Sequence, residues 1–135
     1  DMYTSGALIL TNDGDFVNKV THPSHEINKT YNVTVKGIVT DENVKALESG
    51  VIIDDNYKTK PAIVKILKID KEKKISRIQI TIHEGKNRQI RKMCKAIDKN
   101  VLALHRAKIG ELTVKYIPLG KWKFLNKNEI EKLIK

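Results

Sequence analysis

The amino-acid sequence predicts an α+β domain in which a mixed, largely antiparallel sheet is flanked by a few helices. Segments with strand-like patterns outnumber segments with helical periodicity, and short turns, which join antiparallel strands, separate most of them. The chain has 135 residues, of which 40% are hydrophobic and 31% charged, as expected for one globular domain. Since the sequence contains no repeat and no linker, we expect residues 1–135 to form a single domain.

The beginning of the sequence predicts a strand followed by a helix. The apolar run 7–10 is typical of a strand buried on both faces, and turn residues at 12–14 close it. These turn residues can cap a short helix over 15–20, which Pro23 would end. Asp1 lies just ahead of the strand, so it is either a frayed terminal residue or a carboxylate held on an anchored loop.

The middle of the sequence predicts two strands separated by a helix. Residues 30–36 alternate between apolar and polar, the pattern of a half-buried strand. Asp41 caps a helix that runs to about Ser49 and stops at Gly50. Residues 58–69 are rich in β-branched side chains, and Pro61 near their start indicates an edge strand or a bulge.

The remainder predicts a hairpin, a helix and further strands. A turn over 70–74 leads to an alternating strand at 78–82. A helix then begins at 85–87, and its apolar residues form a stripe at helical spacing that faces the core: Ile90, Met93, Cys94 and Ile97. Strands over 101–107 and about 111–116, a short strand ending near Leu125, and a last helix capped at Asn126 or Asn128 complete the chain.

The charge balance favours a nucleic-acid partner. There are 26 Lys and Arg residues against 16 Asp and Glu residues, a net charge of +10, which favours a polyanion. No segment has the amphipathic pattern of a membrane-surface helix, and none is long and apolar enough to span a bilayer. The single cysteine, Cys94, excludes an internal disulfide and favours a reducing, cytoplasmic setting.

Basic residues are concentrated between His83 and Lys108, where eight stand against two acidic residues. Several of them lie on the polar side of the predicted helix: Arg88, Arg91, Lys92 and Lys95. A solvated helix face is the alternative, but the run has one sign and lacks the Glu partners of a salt-bridged surface. We therefore expect contacts with a nucleic-acid backbone.

Two other candidates are weaker. His22 and His25 could suggest a metal site, but Pro23 spoils the helical geometry and no Cys or carboxylate cluster supports the pair, so we predict no metal. Cys94 lies on the apolar stripe, which favours a core residue over a nucleophile.

An ordered series of motifs resembles the RsuA-type pseudouridine synthases of ribosomal RNA, and most closely the RluF-like branch. Asp1 followed by Thr4-Ser5-Gly6 and the run 8–14 is similar to the active-site motif of that family. Further matches occur in the family's order over essentially the whole chain: His22-Pro23, 29–31, 59–62, 84–93, Leu104, Arg106, 109–110 and 119–122.

The resemblance implies the pseudouridine synthase fold and an isomerisation of uridine in structured ribosomal RNA. In that reaction the glycosidic bond is cut and the flipped-out base is rejoined through carbon 5. Asp1 matches the catalytic aspartate, which acts as the nucleophile or as the base of an elimination. Arg91 matches the arginine that pairs with it, where a guanidinium stabilises and orients the charged carboxylate.

The resemblance also implies the substrate contacts. Tyr31 matches the tyrosine that packs on the target base, and Leu104 matches the apolar wall of the uracil pocket. No metal and no organic cofactor are expected. Candidates for RNA contacts are the basic and polar residues of the motifs: Lys86, Asn87, Arg88, Lys92 and Lys29.

Two hypotheses follow. The first is a monomeric, cytoplasmic enzyme that acts on a stem-loop of ribosomal RNA. The similarity of its motifs to the RluF-like branch favours RNA of the large subunit as the target. The second is a non-catalytic RNA-binding fragment, since family members carry an Arg-Leu pair before the aspartate, an earlier catalytic segment and commonly a small RNA-binding module. None of these precedes Asp1 here, so we expect an N-terminally truncated catalytic domain.

Overall fold

A computed structural model of the chain describes residues 1–22 and 26–134, and it confirms the predicted α+β class. Pro23, at which we expected the first helix to end, and His25 of the rejected metal pair lie outside these residues. The elements follow one another in this order: β1 (Thr4–Gly6), α1 (Gly14–Thr21), β2 (Lys29–Lys36), α2 (Asp41–Ser49), β3 (Ile52–Ile53), β4 (Tyr57–Lys58), β5 (Ile63–Asp70), β6 (Ile75–Ile82), α3 (Gln89–Ala96), β7 (Asn100–Ile109), β8 (Leu112–Thr113) and α4 (Lys127–Ile134).

The main sheet has the strand order β1-β7-β2-β6-β5, and β8 pairs with the end of β7. Its pairings are antiparallel except for β1, which runs parallel to β7. β3 and β4 form a separate two-stranded ribbon. The sheet is therefore mixed and largely antiparallel, as predicted.

The core lies on one face of this sheet. The alternating residues of β2 and β6 place Val33, Val35, Ile78 and Ile80 on that face, where they are buried. α2 and α3 contribute buried side chains to the same cluster, including the predicted stripe residues Ile90, Met93 and Cys94. A smaller cluster around Ala7, Ile109 and Leu133 joins the segment after β1 to β7 and α4.

Most predicted boundaries hold to within a few residues, and the caps explain them. Asp13 caps α1 by accepting from the Phe16 N–H. Thr40, not Asp41, caps α2 in a capping box with Asn43, and Gly50 ends it as expected. The Asn126 side chain accepts from the Glu129 N–H at the start of α4.

Four predicted strands need correction. Residues 7–10 leave the sheet, because Gly6 turns the backbone at φ +113°, and Leu8 and Leu10 point into solvent. The stretch 58–69 is two strands, β4 and β5, because Pro61 in the connection has no N–H to donate. Residues 121–126 form no strand, and 111–116 contains only the short β8.

In the part of the chain that the structure describes, no helix is both long and apolar enough to cross a membrane.

Candidate active site

The carboxylate of Asp1 is held by two hydrogen-bond donors and one further cation. Arg91 Nε donates to Asp1 Oδ2 at 2.6 Å, and Arg88 Nη1 lies 3.0 Å from the same oxygen. The Tyr3 N–H donates to Oδ1 at 2.9 Å. The Asp1 and Arg91 side chains are only 14% and 17% exposed, so solvent screens this pair less than an ordinary surface ion pair. The carboxylate is therefore fixed in position and orientation.

Arg91 also fixes the turn that carries Asp1. Its Nη2 donates to the Tyr3 carbonyl at 3.1 Å, while the Thr4 N–H donates to the Asp1 carbonyl at 3.2 Å and closes the turn. The guanidinium comes from α3, next to Ile90, which is buried in the core. The core contacts of α3 thus determine where Asp1 is held.

A tight junction between β1 and β7 completes the support. Gly6 pairs with Arg106, and a Cβ built on Gly6 would lie 2.3 Å from the Arg106 carbonyl oxygen, so no other residue fits. The Arg106 guanidinium donates twice to the Ala7 carbonyl, at 2.9 Å from Nε and 2.6 Å from Nη2. On the other side of the strand, Ser5 Oγ lies 2.8 Å from His105 Nδ1.

Asp1 lies at a cleft of about 500 Å³. Tyr31, Ile82 and Leu104 give the cleft an apolar wall, because β2, β6 and β7 are neighbours in the sheet. Lys86 and Arg88 line the same cleft from the loop before α3. The cleft therefore combines an apolar surface that suits a base with cations that suit phosphates.

Glu84 anchors the loop that carries Lys86. Its Oε1 accepts a short hydrogen bond from the Tyr57 hydroxyl, and Oε2 accepts from the Lys60 N–H at 2.7 Å and from Gln89 Nε2 at 2.9 Å. Gln89 is buried, and its Oε1 accepts from the Lys86 N–H at 3.0 Å. The Lys86 ammonium lies 4.6 Å from the centre of the Tyr57 ring. These contacts join the loop that carries Lys86 to the ribbon formed by β3 and β4.

The pKa shifts of this network agree with its hydrogen bonds. Burial raises the pKa of Glu84, but the hydrogen bonds from Tyr57, Lys60 and Gln89 outweigh it and leave that pKa below its ordinary value. The hydrogen bond to Glu84, followed by burial, raises the pKa of Tyr57. At neutral pH the acceptor is therefore ionised and the donor protonated, the combination that makes the bond strong.

Lys29 lies beneath the same loop rather than in the cleft. Its Nζ donates to the Glu84 carbonyl at 3.4 Å and lies 2.9 Å from a Cβ built on Gly85. Burial, followed by the charge of Arg106, lowers the pKa of Lys29, against a smaller raising effect of Glu84.

Comparison with known proteins decides the family. Residues 1–96 match the family described as "RNA pseudouridylate synthase". The chain belongs to the RNA pseudouridylate synthase family.

Relatives within this family support the assignment over the whole chain. "Ribosomal large subunit pseudouridine synthase B" of Bacillus subtilis is 45% identical over 133 residues, which are 98% of this chain and 54% of that protein. "Ribosomal small subunit pseudouridine synthase A" of Haemophilus influenzae is 34% identical, with 100% of this chain and 56% of that protein covered. "Dual-specificity RNA pseudouridine synthase RluF" of Salmonella typhi is 36% identical, with 100% and 44% covered. These matches confirm the predicted family.

The fold agrees with a solved structure of a pseudouridylate synthase. That structure superposes with a TM-score of 0.82 at 33% identity and covers 91% of this chain and 52% of the other. The chain spans about half the length of the curated relatives it matches.

The site residues predicted for this pseudouridylate synthase family member fall into two groups. Asp1, Tyr31, Leu104, Lys86 and Arg88 meet at the cleft, and Arg91 holds Asp1 from outside it. The rest lie elsewhere: Asn87 is exposed in the loop, Lys29 lies beneath that loop, and Lys92 pairs with Asp54 at 2.7 Å. Arg88, expected at an RNA phosphate, is paired here with Asp1. Their catalytic and RNA-binding roles stay predictions.

Three residues of the network were missed by the sequence reasoning. Glu84 and Gln89 flank the basic motif, and the spacing of Gln89 four residues before Met93 was a signal that it lies on the buried side of the helix. Tyr57 had no comparable signal, because it meets Glu84 only through the tertiary fold. Among the described residues, no group of three or more His, Cys, Asp or Glu side chains could hold a metal.

Proposed function

We propose that this chain forms the catalytic region of an enzyme that isomerises a specific uridine of ribosomal RNA to pseudouridine. The observation that carries the proposal is the carboxylate of Asp1, held by Arg91 at a cleft with Tyr31 and Leu104 in its wall. The relatives named as ribosomal RNA pseudouridine synthases support the same reaction.

The reaction is an exchange of bonds within one nucleotide. The bond from nitrogen 1 of uracil to the anomeric carbon of ribose breaks, and a bond from carbon 5 to that carbon forms. Carbon 5 then loses its proton and nitrogen 1 gains one, so the isomerisation balances without an oxidant or a reductant. Asp1 serves it by attacking the anomeric carbon, or by removing the proton on the ribose 2′ carbon in an elimination.

The target uridine reaches Asp1 by flipping out of the RNA. Flipping costs a few kcal/mol of unstacking, which contacts between the base and the apolar wall around Tyr31 can offset. Lys86 and Arg88 at the same cleft would bind the flanking phosphates.

A large-subunit RNA is the proposed target. The relative named for the large subunit is 45% identical to this chain, whereas the one named for the small subunit is 34% identical. We place the enzyme in the cytoplasm, where ribosomal RNA is modified in bacteria such as those of the relatives, and expect a monomer.

A role limited to RNA binding agrees less well with the site. A carboxylate in the lining of a cleft that takes a polyanion opposes binding, and holding it with two guanidinium groups uses cations that could contact phosphate. That cost is understandable if the carboxylate reacts with the nucleotide.

The test uses the protein in its full encoded length and unmodified ribosomal RNA labelled with tritium at carbon 5 of uridine. Wild type should release tritium, and Asp1→Asn should release none above background while still binding RNA. Asp55→Asn, at an exposed aspartate, is the matched control and should keep full activity.

Wild type that releases no tritium would reject the enzyme, and an active Asp1→Asn would reject the role of Asp1. Deuterium on the ribose 2′ carbon separates the two routes, because it slows the elimination only.

A further inference from the structure

The face of the main sheet that points away from the core is open to solvent over β5 and β6, whereas residues 113–115 flank Asn32, His105 and Lys108 at its β7 end. α2 and α3 cover the opposite face, where their buried residues pack against β2, β5, β6 and β7. On the open side Lys65, Arg77 and Ala103 are exposed, and Asn32 and Gln79 are half-buried. Tyr31 and Leu104 line the cleft and do not belong to this side of the sheet. The open side is therefore separate from the candidate active site.

The strand register shows which side chains share this open side. Residues directly opposite each other in neighbouring strands point to the same face, and the hydrogen bond from Gln79 Nε2 to Asn32 Oδ1 at 3.3 Å illustrates it. From β5 through β6 and β2 to β7, three rows form what we call the outer face: Lys65, Gln79, Asn32 and His105; Lys68, Arg77, Thr34 and Ala103; Ile63, Thr81, Thr30 and Lys108. Lys36 continues β2 beyond these rows.

Cations predominate on the outer face. Its rows contain Lys65, Lys68, Arg77 and Lys108, and the next row contains Lys36. That next row also contains Asp70, the one acidic residue of β5, which accepts from the Lys73 N–H in the hairpin turn. None of the five cations forms an ion pair with any of the residues that the structure describes.

One contact on the outer face is unfavourable for the protein by itself. Lys68 lies directly opposite Arg77, and like charges in that position destabilise a sheet. By contrast, the cations of the candidate active site are paired: Arg88 and Arg91 with Asp1, and Lys92 with Asp54. A bound polyanion would offset the repulsion between these two cations. Binding therefore explains a pair of like charges that folding alone does not explain.

We infer that the outer face is a second RNA-binding surface that takes the phosphate backbone of RNA extending beyond the target nucleotide. Three strand spacings from β5 to β7 give a width of about 14 Å, and the six residue steps from Thr30 to Lys36 give a length of about 20 Å. Most side chains between the cations are short, which lets a backbone approach. The three rows contain no Phe, Tyr or Trp, so binding is electrostatic and independent of sequence.

Lys65→Gln/Lys68→Gln/Arg77→Gln is the test variant, in the protein at its full encoded length. The control variant, Lys45→Gln/Lys127→Gln/Lys132→Gln, loses the same charge from three exposed lysines on α2 and α4. Affinity for a ribosomal RNA fragment is measured by fluorescence anisotropy over a series of salt concentrations.

The outer-face variant should bind at least about tenfold more weakly at low salt. Its slope of log affinity against log salt should fall by about 2 to 3, because each lost phosphate contact removes about 0.7 to 0.9. The control should keep the wild-type slope. Thermal unfolding provides a second readout: the outer-face variant should be at least as stable as wild type, because the Lys68–Arg77 repulsion is gone.

Equal slopes for the two variants would overturn the inference, as would tight binding of anionic lipid vesicles without binding of RNA. This test of the outer face can fail or succeed independently of the proposed enzymatic function. Asp1→Asn should bind RNA with the wild-type slope, and face-dependent RNA binding without tritium release by wild type would reject the enzyme but keep this surface.

Discussion

Replacing Arg91 with methionine should slow the proposed isomerisation while leaving the fold intact. Methionine keeps much of the apolar stem but removes two donors, one to Asp1 Oδ2 at 2.6 Å and one to the Tyr3 carbonyl at 3.1 Å. Asp1 would then keep Arg88 and the Tyr3 N–H, which still hold the carboxylate in the site but orient it less tightly.

The size of the effect can be worked out from these contacts. A hydrogen bond to a charged group contributes about 1.5 to 3 kcal/mol. Leaving a buried charge without a partner costs about 3 to 5 kcal/mol, and the remaining Arg88 keeps the loss below that range. We take about 2 kcal/mol, which corresponds to a roughly 30-fold lower rate at 1.36 kcal/mol per factor of ten.

Arg88→Met is the matched comparison. The Arg88 side chain is 46% exposed, so its ion pair with Asp1 contributes about 0.2 to 1 kcal/mol, a rate loss of at most about fivefold. Both variants are measured by tritium release in a single turnover with enzyme in excess, which separates the chemical step from product release. A wild-type rate for Arg91→Met, or a larger loss for Arg88→Met, would refute the reasoning.

Two further predictions concern the frame of the site. Gly6→Ala should lower the free energy of unfolding by at least about 1 to 3 kcal/mol, because Gly6 has a φ of +113° and an added Cβ would clash with the Arg106 carbonyl. Gly14→Ala is the control and should not lower it, because the space around Gly14 is open. Equal denaturant midpoints for the two variants would contradict this prediction. Since the pKa of Glu84 lies below its ordinary 4.5, the stability it contributes is present above about pH 4.5 and is lost as the pH falls through the lowered value. Glu84→Gln should therefore be less stable than wild type at neutral pH and decline less in acid, whereas Glu111→Gln, at an exposed site, should follow wild type.

Local patterns were sufficient for most of the fold. The alternation in β6 and the stripe of α3 depend on residues close in sequence, and both predict the faces that are buried. The apolar run 7–10 failed, because an apolar run does not reveal whether a strand has a partner there. Gly6 turns the chain out of the sheet at that point, which depends on its contact with Arg106.

The candidate site was predictable only in part. The resemblance gave Asp1, Tyr31 and Leu104, and the structure brings them to one cleft. The pairing of Arg88 with Asp1 could not be read from its place among basic residues, because that pattern describes a helix surface without its neighbours. Only the tertiary fold brings these partners together.

The parallel pairing of β1 with β7 affects when the site can form during protein synthesis. Ser5 and its partner His105 are 100 residues apart, and β7 is the strand to which β1 pairs in the described sheet. At 5 to 20 residues per second, the ribosome needs roughly 5 to 20 s to make the residues between them. During that time the Asp1 carboxylate has been synthesised but the strand that follows it is unpaired. A nascent chain interrupted just after Arg91 would therefore contain the Asp1–Arg91 pair in its sequence and still lack the cleft.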